Sequence, residues 1–239
     1  KSSASGSVLQ AFRETLWTEG ETIERLYKIK NKAGQIVPMK FSKLQRHLYQ
    51  ALAKMGLAGT HYMLKPRQGW FTSLILAIFN EKLRRNPGWV AYYLTHKDEV
   101  TYELRDKLLK FNTLLPPSEQ IKIDKDREGL FVLGNGSRFH INTVGGKATA
   151  IATTVHLLGG TEIAEWDETA KEVWDAAQEA VPPVPGTLVV KEGIAGRYGA
   201  YWHDDWKQAK LSKSKQTHFY EWYWVEEYRV WPGHNLERV

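Results

Sequence analysis

The sequence predicts an α/β protein: a mainly parallel sheet with helices on both faces. Three observations predict it. Short, continuously apolar runs recur, such as Trp89-Val90-Ala91-Tyr92-Tyr93-Leu94, as expected of strands buried on both sides. Segments of helical periodicity alternate with them, such as Lys43 to Met55 with Leu44, Leu48, Ala51, Leu52 and Met55 in phase. Proline and glycine clusters at Asn86-Pro87-Gly88, Leu115-Pro116-Pro117 and Val181-Pro182-Pro183 punctuate the alternation.

The elements follow in order. Val8 to Trp17 is amphipathic and predicts a short helix. Leu26 to Lys30 and Gln35 to Pro38, joined through Asn31-Lys32-Ala33-Gly34, predict a β-hairpin. After the Lys43–Met55 helix comes a buried strand at His61–Leu64, a helix from Thr72 to Arg85, the strand Trp89–Leu94 and a helix from Lys97 to Phe111. Ile121–Ile123, Gly129–Leu133 and Arg138–Asn142 predict short strands about the turn Gly134-Asn135-Gly136. Thr154–Leu158 is a buried strand, Thr169–Ala180 a helix, Thr187–Val190 a strand and Tyr198–Ala209 a helix. Gln216 to Val225 alternates and predicts the last strand.

A chain of 239 residues can bury one large core, or one domain with a small appendage. We divide it into an N-terminal helix and hairpin at residues 1–40 and a core at 41–239. With no cysteine, disulfides, thiolate metal sites and cysteine nucleophiles are excluded. No apolar run approaches the roughly 20 residues that cross a bilayer. The net charge of +6 favours polyanionic partners.

One junction carries chemistry. Lys65-Pro66-Arg67-Gln68-Gly69-Trp70-Phe71-Thr72-Ser73 lies between the strand ending at Leu64 and a long apolar helix. Strand, turn and helix with cations and hydroxyls at the junction is how a phosphate cradle is built, because the helix N-terminus aims free N–H groups at an anion. Lys65, Arg67, Gln68, Gly69, Phe71, Thr72 and Ser73 are therefore candidate nucleotide-binding residues in a P-loop NTPase-like fold, with Thr72 also a Mg²⁺ ligand. The usual pattern is G-x-x-x-x-G-K-[ST]. Counted back from Thr72, Phe71 stands at the Lys position and Trp70 at the second Gly. A basic turn capping a buried strand is the competing explanation.

Downstream, Val155-His156-Leu157-Leu158 runs into Gly159-Gly160-Thr161-Glu162. A carboxylate just past a buried strand can activate water and orient Mg²⁺. Glu162 is that candidate, and Thr161 stands where a Walker-B Asp would and joins the candidate metal set. Gln45 offers a donor and an acceptor suited to an adenine edge. Arg138 and Lys147 are candidates for a cation supplied to the transition state. Lys207, Lys210, Lys213 and Lys215 form a basic run able to meet phosphates. In each case a solvated surface group is the alternative.

Together these residues resemble the ATPase domain of a tailed-phage terminase large subunit. Lys65-Pro66-Arg67-Gln68 followed by Phe71-Thr72-Ser73 is similar to that family's deviant Walker A. His156 to Trp166, with Glu162, resembles its Walker B strand and catalytic Glu. Glu172 to Pro182 looks like the helix that follows. Phe219 to Trp224 through Glu227-Tyr228-Arg229 is similar to the aromatic segment that ends the domain. The match runs from about Ile36 to Arg229. The resemblance implies ATP and Mg²⁺ as cofactors, and hydrolysis coupled to translocation of double-stranded DNA into a procapsid. It implies a homo-oligomeric ring on the portal, a small terminase subunit as partner and work in the cytoplasm of an infected bacterium, with no membrane. The family's nuclease domain is not expected within these residues. Its arginine finger, about eleven residues before the catalytic Glu, falls at Ile151, and its usually Ser/Thr-rich coupling motif reads Lys191-Glu192-Gly193. The alternatives are a catalytically degenerate P-loop module that binds DNA or a partner, and a small helicase- or recombinase-like ATPase.

Overall fold

A computed structural model describes residues 19–55, 59–67, 69–127, 129–144 and 153–225, with only the backbone at Glu168. Its elements are helix α1 (residues 19–26), the hairpin β1 (Lys28–Lys30) and β2 (Ile36–Pro38), α2 (Lys43–Lys54), β3 (Gly59–Leu64), α3 (Phe71–Arg85), β4 (Val90–Thr95) and α4 (Asp98–Thr113). Then follow β5 (Ile123–Arg127), β6 (Leu130–Leu133), β7 (Arg138–Thr143), β8 (Leu157–Gly160), α5 (Glu168–Glu179), β9 (Leu188–Gly193), α6 (Tyr201–Leu211) and β10 (Lys215–Phe219).

Eight strands form one sheet in the order β10-β3-β9-β8-β4-β7-β6-β5. The pairs from β10 to β7 are parallel, and only β6 with β7 and β5 with β6 are antiparallel. All six residues of β4 and of β9 are buried; β4 accordingly runs apolar without alternation, whereas β9 carries two buried charges, Lys191 and Glu192. One face carries the core of α2, α3 and α4. Leu74 to Phe79 of α3 are wholly buried there. The other face is closed by α5 and α6 through Trp174 and Trp202. The predicted two-sided α/β sheet is the fold observed.

Four details differ from the sequence-based expectation. The segment expected as an appendage shares the main core: Ile23, Tyr27 and Met39 are buried in it. The Tyr27 hydroxyl donates to Glu81 (3.0 Å) and accepts from Asn80 (2.8 Å), both on α3. Burying a phenol requires such partners, and α3 supplies them. The strand expected at Thr154–Leu158 begins and ends later, at Leu157–Gly160. Its two glycines are demanded by rings on both faces. A Cβ on Gly159 would stand 2.4 Å from the Tyr93 ring, and one on Gly160 would stand 2.7 Å from Trp174. The strand expected at Thr187–Val190 continues to Gly193, so Lys191 and Glu192 lie within the sheet. The last strand stops at Phe219 and gives way to a 3-10 turn at Trp222–Trp224. The helix expected at Val8–Trp17 lies outside the described residues.

Two histidines make the fold acid-sensitive. Burial and nearby His47 lower His218 to about 4, and its ring stacks on His61 with 3.0 Å between Nδ1 of His61 and Nε2 of His218. Burial and Arg138 lower His140 to about 4, beneath the ring of Tyr92. A depressed folded value means that the unfolded chain protonates first. Stability is therefore full above 6.5 and falls as the pH drops from 6.5 towards 4. The steepest contribution of His218 is about 1.4 kcal/mol per pH unit, and that of His140 is smaller because its ring keeps more of its hydration. A thermal-melt series should show this loss, and His218→Gln should flatten it.

Candidate functional site

The carboxyl ends of β3, β9, β8 and β4 lie abreast, with Leu64 beside Gly193, Gly160 beside Lys191 and Leu94 beside Gly160. This is the edge where ligands of open parallel sheets bind. The loop after β3, Thr161 and Glu162 after β8, and His96 after β4 all open onto it.

The loop turns sharply. Trp70 adopts the left-handed conformation (φ 58°) and caps α3 with its carbonyl, which accepts from the Leu74 amide at 3.3 Å. Gln45 fixes that carbonyl from α2. Its Nε2 donates to Trp70 O at 2.9 Å, while its Oε1 accepts from the Ser42 amide at 3.0 Å in a capping box. Gln45 is thus buried against the turn, with both ends of its amide engaged. The second left-handed non-glycine residue among those described is Glu162, with φ 56°. Both strained positions belong to one edge, the pattern of a site whose surroundings enforce its backbone. Glycine in place of Trp70 relieves the left-handed strain while losing partial burial. Trp70→Gly is therefore expected to stay within about 1 kcal/mol of the wild type in urea denaturation, whereas Trp70→Ala, which keeps the strain, should fall below it.

The cation beside Thr72 is Lys65, one of the two loop cations expected at this junction. Lys65, at the position of the pattern's first Gly, folds back so that its Nζ lies 3.4 Å from Thr72 Oγ1 and 3.1 Å from Glu192 Oε2. Phe71, at the usual Lys position, is fully buried with its ring edge-on to Tyr220, centroids 4.8 Å apart. The side chain of Phe71 is core, whatever its backbone offers. Thr72 Oγ1 donates to Glu192 Oε1 and lies 3.4 Å from Thr161 Oγ1. Tyr93 also donates to Glu192 Oε1, at 3.1 Å. Burial and Glu192 drive the Tyr93 phenol well above its ordinary value, so it remains a donor.

Across the edge, Glu162 is half-exposed and its Oε2 lies 2.7 Å from His96 Nδ1. Lys65, Arg67, His96 and Glu162 line a cleft of about 580 Å³. Trp70 and the buried Ser73 instead face a separate cavity of about 290 Å³, beside Lys107 and Phe111. Gly69 is buried beneath the loop between Leu44 and Pro66.

Other candidates fall elsewhere. Arg138 begins β7 opposite Val90, at the start of the parallel strands. The site lies at their far ends, so within one chain Arg138 does not supply the transition-state cation for which it was a candidate. Gln68, Lys147 and Ile151 lie outside the described residues. Two contributors carried no motif. His96 could have been found by its place just past an apolar strand. Glu192 was noticed only as a departure in the Lys191-Glu192-Gly193 segment.

The opposite side of β9 holds a second ion pair. Lys191 is buried among Tyr62, Trp174 and Tyr201, bonded to Asp205 at 2.5 Å. Burial lowers its ammonium to about 8 against the opposing pull of Asp205.

The mostly parallel α/β sheet thus carries a hydroxyl-bearing loop, a cation and a carboxylate at its carboxyl edge. Among solved structures, the chain has the fold of phage large-terminase ATPase domains. It superposes on the HK97 bacteriophage large terminase with a TM-score of 0.68 at 17% identity, over 86% of this chain and 44% of that one. The Thermus phage P74-26 large terminase ATPase domain gives 0.55 at 12% identity, over 79% and 84%. The large terminase of another thermophilic bacteriophage, solved in complex with ADP, gives 0.57 at 11% identity, over 78% and 47%. The chain thus spans less than half of the HK97 protein. No family model and no curated relative matches the sequence.

Proposed function

We propose that this chain is a Mg²⁺-dependent ATPase motor domain of the terminase large-subunit type, acting in translocation of double-stranded DNA. The observation that carries this is the meeting of Lys65 and Glu162 in one cleft at the carboxyl edge of the sheet, with Thr72 Oγ1 3.4 Å from the Lys65 ammonium. Lys65 and the amides opening α3 would meet phosphate oxygens. Thr72, Thr161 and the two glutamates offer hard oxygen donors, a set that suits Mg²⁺ held partly by phosphates. When bound, Mg²⁺ neutralises phosphate charge. Glu162, oriented by His96, accepts a proton from the attacking water. Gln45 and Trp70 hold the loop's shape from behind.

Calorimetric titration with Mg²⁺-ATP tests the reading. Wild type should bind, and Thr72→Ala should bind at least about ten-fold more weakly. Absence of wild-type binding would favour the second reading, a degenerate P-loop module. One observation supports that alternative: Glu192 already engages the hydroxyl and the ammonium that a phosphate would use.

Partners in the proposal are DNA, the portal and procapsid, a small terminase subunit and further copies in a ring. The setting is the cytoplasm of an infected bacterium. No helix of the described residues is long and apolar enough to cross a membrane. Lys207, Lys210 and Lys213 are exposed near the end of α6. Lys215 is half-buried, its Nζ 3.1 Å from the Tyr62 hydroxyl. If the three exposed lysines meet phosphates, their joint replacement by Ala should lower the slope of log affinity against log salt by about 2 to 3. An unchanged slope would remove them from the DNA surface.

A further inference from the structure

We infer that Glu192 is the carboxylate that organises the divalent-cation site, performing from β9 the task that Thr161, just past β8, does not. The inference rests on the Mg²⁺-ATP reading above and assigns a residue to it.

The argument starts from a missing charge. A P-loop cation is held between the loop hydroxyl and a carboxylate at the end of a neighbouring strand. Position 161 supplies only a hydroxyl, 3.4 Å from that of Thr72, and a neutral hydroxyl does not balance a dication. Strand β9 lies between β3 and β8, so its side chains on the α3 face stand between the loop and position 161. Gly160 pairs with Lys191, which sets Glu192 level with Thr161, and Met63 pairs with Glu192, which sets it level with the end of β3.

Glu192 is fully buried. Burying a carboxylate is costly unless its charge and lone pairs are met. Oε1 is met by the hydroxyls of Thr72 and Tyr93. Oε2 accepts no directed hydrogen bond and has the Lys65 ammonium 3.1 Å away. One carboxylate oxygen thus holds the hydroxyl that a cation would share, and the other retains acceptor capacity beside the group that would meet phosphate. A plain counter-ion for Lys65 would need neither the Thr72 contact nor the Tyr93 hydroxyl that orients it.

The test is the cation dependence of nucleotide affinity, which a merely structural carboxylate would leave unchanged. ATP is titrated calorimetrically into wild type and Glu192→Gln, once with Mg²⁺ and once with EDTA. Mg²⁺ should tighten wild-type binding. In Glu192→Gln that enhancement should shrink by about ten-fold or more, while metal-free binding holds or improves because a negative charge has left the cradle. Thr161→Asp in the Glu192→Gln background should restore part of the enhancement, since it returns a carboxylate to the usual strand. An enhancement equal to wild type in Glu192→Gln would overturn the inference and leave Glu192 a counter-ion, with the nucleotide site intact. Failure of wild type to bind ATP in either buffer would overturn the functional reading and the inference together. If near-ultraviolet circular dichroism shows that Glu192→Gln is unfolded, Tyr93→Phe is measured instead. It removes only the hydroxyl orienting Oε1 and should reduce the Mg²⁺ enhancement; no reduction would overturn the inference.

Discussion

Glu162→Gln is expected to lower ATP turnover by about 100-fold or more while changing Mg²⁺-ATP affinity little. A positioned general base contributes about 10²–10⁴ to rate, and an amide accepts no proton at neutral pH. The substitution keeps the side chain's shape, its left-handed backbone and its place beside His96. Glu162 is half-exposed, so neutralising it should leave stability nearly unchanged. The measurement is steady-state hydrolysis at several protein concentrations, paired with calorimetry. Varying concentration matters because Arg138 of the same chain lies at the opposite edge, and a finger supplied by a neighbouring copy would raise turnover with concentration. Unchanged turnover in Glu162→Gln would move the base elsewhere.

Lys65→Ala is expected to be the most destabilising single change at the site, by about 3–5 kcal/mol. It strands a fully buried carboxylate whose remaining contacts are two hydroxyls. The double variant Lys65→Ala, Glu192→Gln should recover much of that loss, because removing both charges removes the uncompensated one. Denaturant titration of wild type, both single variants and the double variant measures the coupling. Additive losses would mean that the 3.1 Å pair contributes no shared energy. Nucleotide affinity should stay low in every variant that lacks Lys65.

Most of the sheet was legible because parallel strands buried on both faces announce themselves as unbroken apolar runs, as Val90–Thr95 does. Boundaries were lost where packing overrules pattern. Gly159 and Gly160 fell past the expected strand, yet they are strand residues whose missing side chains make room for Tyr93 and Trp174. Lys191 and Glu192 read as the start of a loop because buried charges in a strand have no signature until their partners are known. The strand-turn-helix junction at Lys65–Ser73, where the candidate site is placed, was legible in the sequence. Lys65 was named there as a candidate cation, but its placement was not legible, because position counting looked to Phe71, while the chain's reversal at Trp70 returns Lys65 to Thr72. His96 stood in view just past an apolar strand, but its pairing with Glu162 needed the order of strands, since only the sheet brings the ends of β4 and β8 together.

The two adjacent charges of β9 also bear on how the chain finds its register. Lys191 meets Asp205 on one face, while Glu192 meets Lys65 on the other. A slip of one residue would turn both side chains over. Lys191 would then confront Lys65, and Glu192 would confront Asp205, each in a buried setting where like charges repel strongly. Apolar strands alone would tolerate such a slip, since Leu188, Val189 and Val190 suit either face. The dipeptide therefore acts as a key during folding. It penalises misaligned central pairings, and it makes correct alignment of β9 between β3 and β8 a condition for having a site at all.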